Sequence, residues 1–135
     1  MRIVIDTAAV VSAFFFGGRN REVVEAVMRG KAAAYATPEI VEEYEAVVAK
    51  MKAETEAPLR PNLLLPFTSR LHIVEPKPHD ALCRTPGDDK FVACALAANA
   101  LYIVDEGKEV AFSGPSRSVR IMSADAFCRF LTLAE

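Results

Sequence analysis

The chain has 135 residues, 52% hydrophobic content and a formal net charge of −2. This length is typical of one domain and is enough to bury a core without disulfides or metals. The small negative charge excludes a protein held to nucleic acid by bulk attraction, and the apolar runs are far too short to span a membrane.

We expect a single domain over residues 1–135 and a cytoplasmic location. The chain runs from Met1 directly into strand-like sequence and shows no signal-peptide pattern. Its three cysteines, Cys83, Cys94 and Cys128, are odd in number and widely spaced. This favours reduced, buried thiols over a disulfide framework, and with only two histidines a zinc site has weak support.

The first predicted strand is the apolar run at residues 2–5, which ends at Asp6. A short apolar run of this kind is typical of a buried parallel strand. Asp6 therefore lies at the carboxyl edge of the predicted sheet, where open α/β sheets bind ligands. A carboxylate there either caps the following helix or binds a cation, and Asp6 alone does not decide between the two.

Strands and helices alternate along the rest of the chain. Further strands are predicted at residues 31–36, 71–74, 101–104 and 119–122. Helices are predicted at residues 8–16 and 21–29, after Thr37-Pro38, near 62–70, from Asp88 and after Ser123. This alternation predicts an α/β fold, a three-layer α/β/α sandwich with a central parallel sheet of about five strands.

Other acidic residues fall on these helices. Glu43 lies on the helix after Thr37-Pro38, and Asp88 and Asp89 open a later helix. Alone, Glu43 could be a solvated helix residue, and the two aspartates could simply complement the helix N-terminus. Together with Asp6 they could instead form the carboxylate site that Mg²⁺ or Mn²⁺ prefers. Two negative charges about 4 Å apart repel by roughly 4 kcal/mol at an effective dielectric of 20, so converging acids need a cation or raised pKa values.

The order of these acids resembles the PIN domain, a family of metal-dependent ribonuclease folds that includes the VapC-type toxins of toxin–antitoxin pairs. Its motifs are matched by Asp6-Thr7 after the first strand, by Glu43, and by Asp89 heading an alanine-rich helix. The resemblance implies an Mg²⁺- or Mn²⁺-dependent endoribonuclease that uses metal-activated water, with Asp6, Glu43 and Asp89 as catalytic metal ligands. Asp89 is preferred over Asp88 because it keeps the family's spacing to the strand at Leu101.

Two positions depart from the family's pattern. Ala8 stands where the family usually has Asn, and Gly107 stands at the position of a fourth acid. We expect Asp105 or Glu106 to replace the missing group in part, as a further metal ligand. Ala8 also disfavours an aspartyl-phosphate hydrolase, because the Asp-x-Asp pattern of that class needs an acid at this position. The remaining alternative is a PIN-like binding or regulatory module with impaired catalysis.

The resemblance also implies partners. These are an RNA substrate, a second copy of the chain in a homodimer and, for a toxin, a small antitoxin that covers the acidic site. No membrane contact is expected. The run Phe14-Phe15-Phe16 favours the core, although part of it could serve a dimer or partner surface.

Overall fold

A computed structural model describes residues 1–55, 63–77, 86–105 and 118–134 of the chain. Its sheet has five strands in the order β3-β2-β1-β4-β5, and every neighbouring pair is parallel. The strands are β1 (Arg2–Ile5), β2 (Ala33–Ala36), β3 (His72–Ile73), β4 (Tyr102–Val104) and β5 (Arg120–Met122). The predicted α/β fold with a central parallel sheet is confirmed.

Helices flank this sheet. They are α1 (Thr7–Phe15), α2 (Gly18–Met28), α3 (Pro38–Glu54), α4 (Leu64–Thr68), α5 (Asp89–Ala98) and α6 (Ala124–Ala134), with a 3₁₀ turn at Pro86–Asp88 before α5. The second helix begins at Gly18 rather than at the predicted Arg21. Gly17 adopts a φ of +77°, which glycine tolerates, so the chain reverses within one residue after α1. Within the described ranges, no helix has the length and apolarity needed to cross a bilayer.

Helix caps follow the local chemistry of the sequence. The Thr37 hydroxyl accepts a hydrogen bond from the Ile40 N–H at 3.2 Å, and Pro38 occupies the first turn of α3. The Ser123 hydroxyl accepts one from the Ala126 N–H at 3.1 Å at the start of α6. Each cap satisfies a backbone donor that the first turn leaves without a partner in the helix, which is why threonine and serine mark these starts.

Aromatic residues join three helices in the core. Phe14 of α1 meets Phe67 of α4 edge to face, with ring centroids 5.9 Å apart. Tyr44 of α3 lies 6.1 Å from the same Phe67 ring. All three side chains are fully buried. Phe16, by contrast, is 78% exposed, so the Phe14-Phe15-Phe16 run divides between the core and the surface.

The described cysteines are buried free thiols. Cys94 lies on α5 and Cys128 on α6. Burial raises the pKa of the Cys94 thiol to about 12. It is therefore protonated at neutral pH and behaves as a small apolar side chain. The predicted reduced, buried state is confirmed for these two, while Cys83 lies outside the described residues.

Polar burial is concentrated at one edge of the sheet. Among the described residues, the buried polar side chains are Asp6, Thr7, Thr37 and Asp105. They come directly after β1, β2 and β4, at the carboxyl ends of parallel strands. Because these ends meet at the same edge, the polar groups gather above the central strands.

Candidate active site at the carboxyl edge of the sheet

Asp6 is held by both its backbone and its side chain. Its N–H donates to the Val104 carbonyl at 2.9 Å, which ties it to the end of β4. Its Oδ2 accepts a hydrogen bond from the Ala8 N–H at 3.1 Å, so Asp6 caps α1. A carboxylate has about four lone-pair sites, and this one hydrogen bond does not use all of them. The residue is 5% exposed, so its position is well defined by its surroundings.

Glu43 joins three helices through its carboxylate. Its Oε2 accepts a hydrogen bond from the Thr7 hydroxyl of α1, and its Oε1 lies 2.8 Å from Nζ of Lys90 on α5. Glu39, Glu42 and Glu45 on the same helix are exposed, but the Glu43 side chain is only 32% exposed. Glu43 is therefore more than a solvated acid of the helix surface.

Tyr44 fixes α3 against the end of β1. Its hydroxyl donates a hydrogen bond to the Ile5 carbonyl, one residue before Asp6. Burial raises the pKa of Tyr44 well above its usual value, and the nearby Cys94, Asp6 and Glu43 add to this. The phenol therefore remains a neutral donor at physiological pH. Because Glu43 precedes Tyr44 directly, this hydrogen bond also sets the position of Glu43 relative to Asp6.

A cleft of about 560 Å³ opens over these groups. We call it the acidic cleft. One end presents the polar side chains Asp6, Thr7, Glu43, Asp88 and Lys90. The other wall is apolar and is formed by Val11, Phe16, Val47 and Met51. Its size and mixed lining are typical of a ligand site, in which few polar groups are set against an apolar wall.

The 3₁₀ turn separates the two neighbouring aspartates. Asp88 lines the acidic cleft and also a narrow crevice shared with Asp6 and Asp105. Asp89 lines an adjacent pocket beside Thr37 and Glu39. Asp88 ends the 3₁₀ turn and Asp89 begins α5, and adjacent residues of a helix lie about 100° apart around its axis, so the two side chains point in different directions. The structure thus brings Asp88 to Asp6, and the role of Asp89 remains a prediction.

Asp105 lies at the carboxyl end of β4, the strand that neighbours β1. It is 3% exposed, and its N–H donates to the Met122 carbonyl of β5 at 3.1 Å. Its side chain lines the crevice with Asp6 and Asp88. Glu106 and Gly107 lie outside the described residues. The replacement of the fourth acid by Asp105 or Glu106 therefore remains a prediction.

The parallel sheet and the acidic cleft at its carboxyl edge define an α/β domain with a carboxylate-based site. Residues 2–106 match the family model described as PIN domain, so the chain belongs to the PIN domain family. The PIN domain is a nuclease-type fold. Comparison with curated proteins and with solved structures gives no significant match. The resemblance seen in the sequence motifs is confirmed.

PIN domains generally use divalent metals, and the described side chains test that expectation. Within the described ranges, no group of three or more acidic, histidine or cysteine side chains could hold a metal ion. Both oxygens of Glu43 face donors on Thr7 and Lys90, and one oxygen of Asp6 caps α1. The donors are of the hard-oxygen type that Mg²⁺ prefers, but with Glu43 Oε1 paired to Lys90 the arrangement is not that of a metal site.

Sequence reasoning missed two residues that shape the acidic cleft. Thr7 was seen only as part of the Asp-Thr motif, whereas its hydroxyl orients Glu43. Lys90 gave no signal, because its partner lies far away in sequence, on α3. A cation after two aspartates resembles an ordinary helix-start residue, and only the packing of α5 beside α3 brings it to Glu43.

Proposed function

We propose that the chain is an endoribonuclease of PIN type that hydrolyses RNA phosphodiesters and requires Mg²⁺ or Mn²⁺. The observation that carries this proposal is that Asp6, Glu43 and Asp88 line one cleft at the carboxyl edge of a PIN-family sheet. A bound divalent ion would supply charge that polarises a phosphoryl group and activates water. In this proposal Asp6 and Glu43 are the catalytic residues and would hold the ion, Glu43 once its pair with Lys90 opens.

The remaining candidates differ in the support they have. Asp89 is the third acid of the sequence prediction, whereas Asp88 is the one that lines the cleft. Asp105 and Glu106 are the proposed additional metal ligands. The crevice that Asp105 shares with Asp6 supports Asp105 of the two.

Each side chain at the cleft has a separate role in this proposal. Thr7 orients the Glu43 carboxylate, and the cap at α1 holds Asp6. Lys90 brings positive charge to an otherwise acidic end of the cleft. On the opposite wall, the 78% exposed ring of Phe16 offers a face on which an unpaired base can stack. Acids beside an aromatic platform suit a single-stranded RNA segment.

The proposal is tested by RNA cleavage. Asp6→Asn keeps the size of the side chain and an oxygen that can cap α1, but it removes the charge. We expect cleavage of single-stranded and structured RNA in Mn²⁺ to fall at least about 100-fold, because a metal site supplies several kcal/mol of charge stabilisation. Asp125→Asn, at an exposed acid of α6, is the matched control. Cleavage that persists in EDTA, or Asp6→Asn without loss, would contradict the proposal.

We also propose a homodimer and, if the chain is a toxin, a small antitoxin that covers the acidic cleft. The apolar wall with its exposed Phe16 supports a protein partner there. Light scattering checks the first proposal, and a strict monomer at high concentration would remove it. Capture of a co-expressed small protein checks the second.

A second candidate function is a PIN-fold binding or regulatory module without catalysis. The pairing of Glu43 with Lys90 favours it, since a metal ligand of the family is engaged with an internal cation. Calorimetry separates the two candidates. A chain that shows no Mn²⁺ binding at millimolar concentration and no RNA cleavage would be such a module.

A further inference from the structure

Lys90 is anchored at the acidic end of the cleft by several contacts. Its Nζ lies 2.8 Å from Glu43 Oε1 and donates to the Gly87 carbonyl at 3.0 Å. The same Nζ lies 5.3 Å from the centroid of the Phe91 ring. The ammonium is therefore held by a carboxylate, a backbone carbonyl and an aromatic ring.

The Lys90–Glu43 pair differs from ion pairs on the outer surface of the domain. Arg19, Arg29 and Arg129 form such pairs, and the side chains in them are 42–71% exposed. Such pairs contribute little because water screens them. The Lys90 and Glu43 side chains are 20% and 32% exposed, and the pair joins α5 to α3. Its place is the functional cleft rather than the outer surface.

We propose that Lys90 is an internal counter-ion that competes with a divalent metal for Glu43. The inference rests on the proposed function, since the metal is the one required there. An ammonium and a divalent cation repel each other, so they do not share one carboxylate oxygen at contact distance. Oε1 faces Lys90 and is the oxygen for which the two cations compete, while the Thr7 hydroxyl donates to Oε2.

The competition gives the chain a built-in threshold for metal binding. A metal can take Glu43 only after the ammonium moves away, and the flexible four-carbon stem of lysine permits this without movement of α5. The neighbouring Asp6 and Asp88 remain in the cleft during the exchange. Lys90 thus lowers metal affinity without being a metal ligand.

The test is calorimetric titration of the full chain with Mn²⁺. We expect Lys90→Gln to bind Mn²⁺ about two- to fivefold more tightly than the parent chain, which is the range for a partly screened ion pair. Lys90→Arg keeps the charge and should keep the weaker parental affinity. Lys50→Gln changes an exposed lysine of α3 and is the matched control.

A double variant shows whether the effect passes through Glu43. In a Glu43→Gln background, Lys90→Gln should no longer tighten Mn²⁺ binding, because the contested carboxylate is gone. Should Lys90→Gln lower the thermal midpoint, Lys90→Met keeps the apolar stem beside Phe91 and gives the same comparison.

The outcomes separate this inference from the proposed function. Unchanged or weaker Mn²⁺ affinity in Lys90→Gln overturns the inference, and so does the absence of binding in every variant. Mn²⁺-dependent cleavage of RNA by the parent chain, abolished by EDTA, reports on the proposed function alone. Tighter binding in Lys90→Gln without any cleavage would leave the inference standing and the nuclease proposal refuted.

Discussion

The two edges of the sheet treat polar side chains in opposite ways. At the carboxyl edge, Asp6 and Asp105 are buried after β1 and β4. At the amino edge, a cleft of about 560 Å³ is lined by the exposed cations Lys31 and Arg70 and by the exposed His72. Among the described residues, both edges of the sheet have a cleft large enough for a ligand, but only the carboxyl edge buries its charged side chains.

The burial of charged side chains is what distinguishes the two edges. An exposed cation keeps its hydration and costs the fold little, whereas a buried carboxylate loses its hydration and needs partners. The carboxyl edge supplies them from the Ala8 N–H to Asp6 and from Thr7 and Lys90 to Glu43. Cavity size alone would not have distinguished the two edges. The distinction comes from the polar groups that the fold takes out of water.

After the loss expected for Asp6→Asn, the largest expected effect separates the two neighbouring aspartates. Asp88→Asn should reduce RNA cleavage about 10- to 100-fold, the range for removing a group that supports a metal site, because Asp88 lines the acidic cleft. Asp89→Asn should change cleavage less than about threefold, since Asp89 faces the adjacent pocket. Arg70→Gln, at the amino edge, serves as the control. The reverse order of the two aspartates would restore the preference for Asp89 drawn from family spacing.

A smaller effect, on the free energy of unfolding, is expected from removal of the Tyr44 hydroxyl, which lies below the acidic cleft. Tyr44→Phe removes the donor to the Ile5 carbonyl in a fully buried environment. The free energy of unfolding should fall by about 1–2 kcal/mol, since a buried acceptor loses its partner. Urea denaturation measures this. Tyr35→Phe, at a half-exposed tyrosine stacked on His72, should change stability by less than about 0.5 kcal/mol. Equal effects at both sites would show that the carboxyl edge has no special dependence on Tyr44.

The smallest effect concerns alkaline stability. Burial raises the pKa of Cys94 from 9.0 to about 12. Below pH 9 the thiol is protonated in both the folded and the unfolded chain. Above it, the unfolded chain releases the proton first, so the free energy of unfolding falls between pH 9 and about 12. The loss at pH 10 is about 1 kcal/mol.

The variant Cys94→Ala should remove this part of the alkaline loss. Unfolding in urea at pH 8 and pH 10 compares the slopes of the variant and the parent chain. Tyr44 acts in the same direction, because its pKa is also raised by burial, and its contribution should remain in the variant. An identical fall in stability in both chains would show that Cys94 does not titrate as its burial implies.

Local chemistry explains what could be predicted from the sequence. The apolar run before Asp6 gave β1, and Thr37-Pro38 gave the start of α3, because strand burial and helix capping depend on nearby residues. The site was predictable in outline for the same reason. Asp6 was placed from a strand end and Glu43 from the order of the PIN-family motifs, and both line the acidic cleft.

Tertiary geometry explains the features that could not be predicted from the sequence. The choice between Asp88 and Asp89 depends on which of these two adjacent residues, at the junction of the 3₁₀ turn with α5, lines the acidic cleft. The Lys90–Glu43 pair depends on how closely α5 approaches α3. Neither leaves a periodic or local pattern in the sequence, so family spacing pointed to Asp89 and gave no indication of Lys90.

The length of α1 sets the distance between the acids and Phe16 in the cleft. Asp6 caps its start, and Phe16 is the C-cap residue at its end. Both residues line the same cleft. The nine residues between them rise by about 14 Å, so α1 acts as a rigid spacer between the acids and the exposed ring. In the proposed nuclease, an RNA segment stacked on Phe16 would meet the acids at a set distance from the stacked base, and one helical turn inserted into α1 would lengthen that distance by about 5 Å.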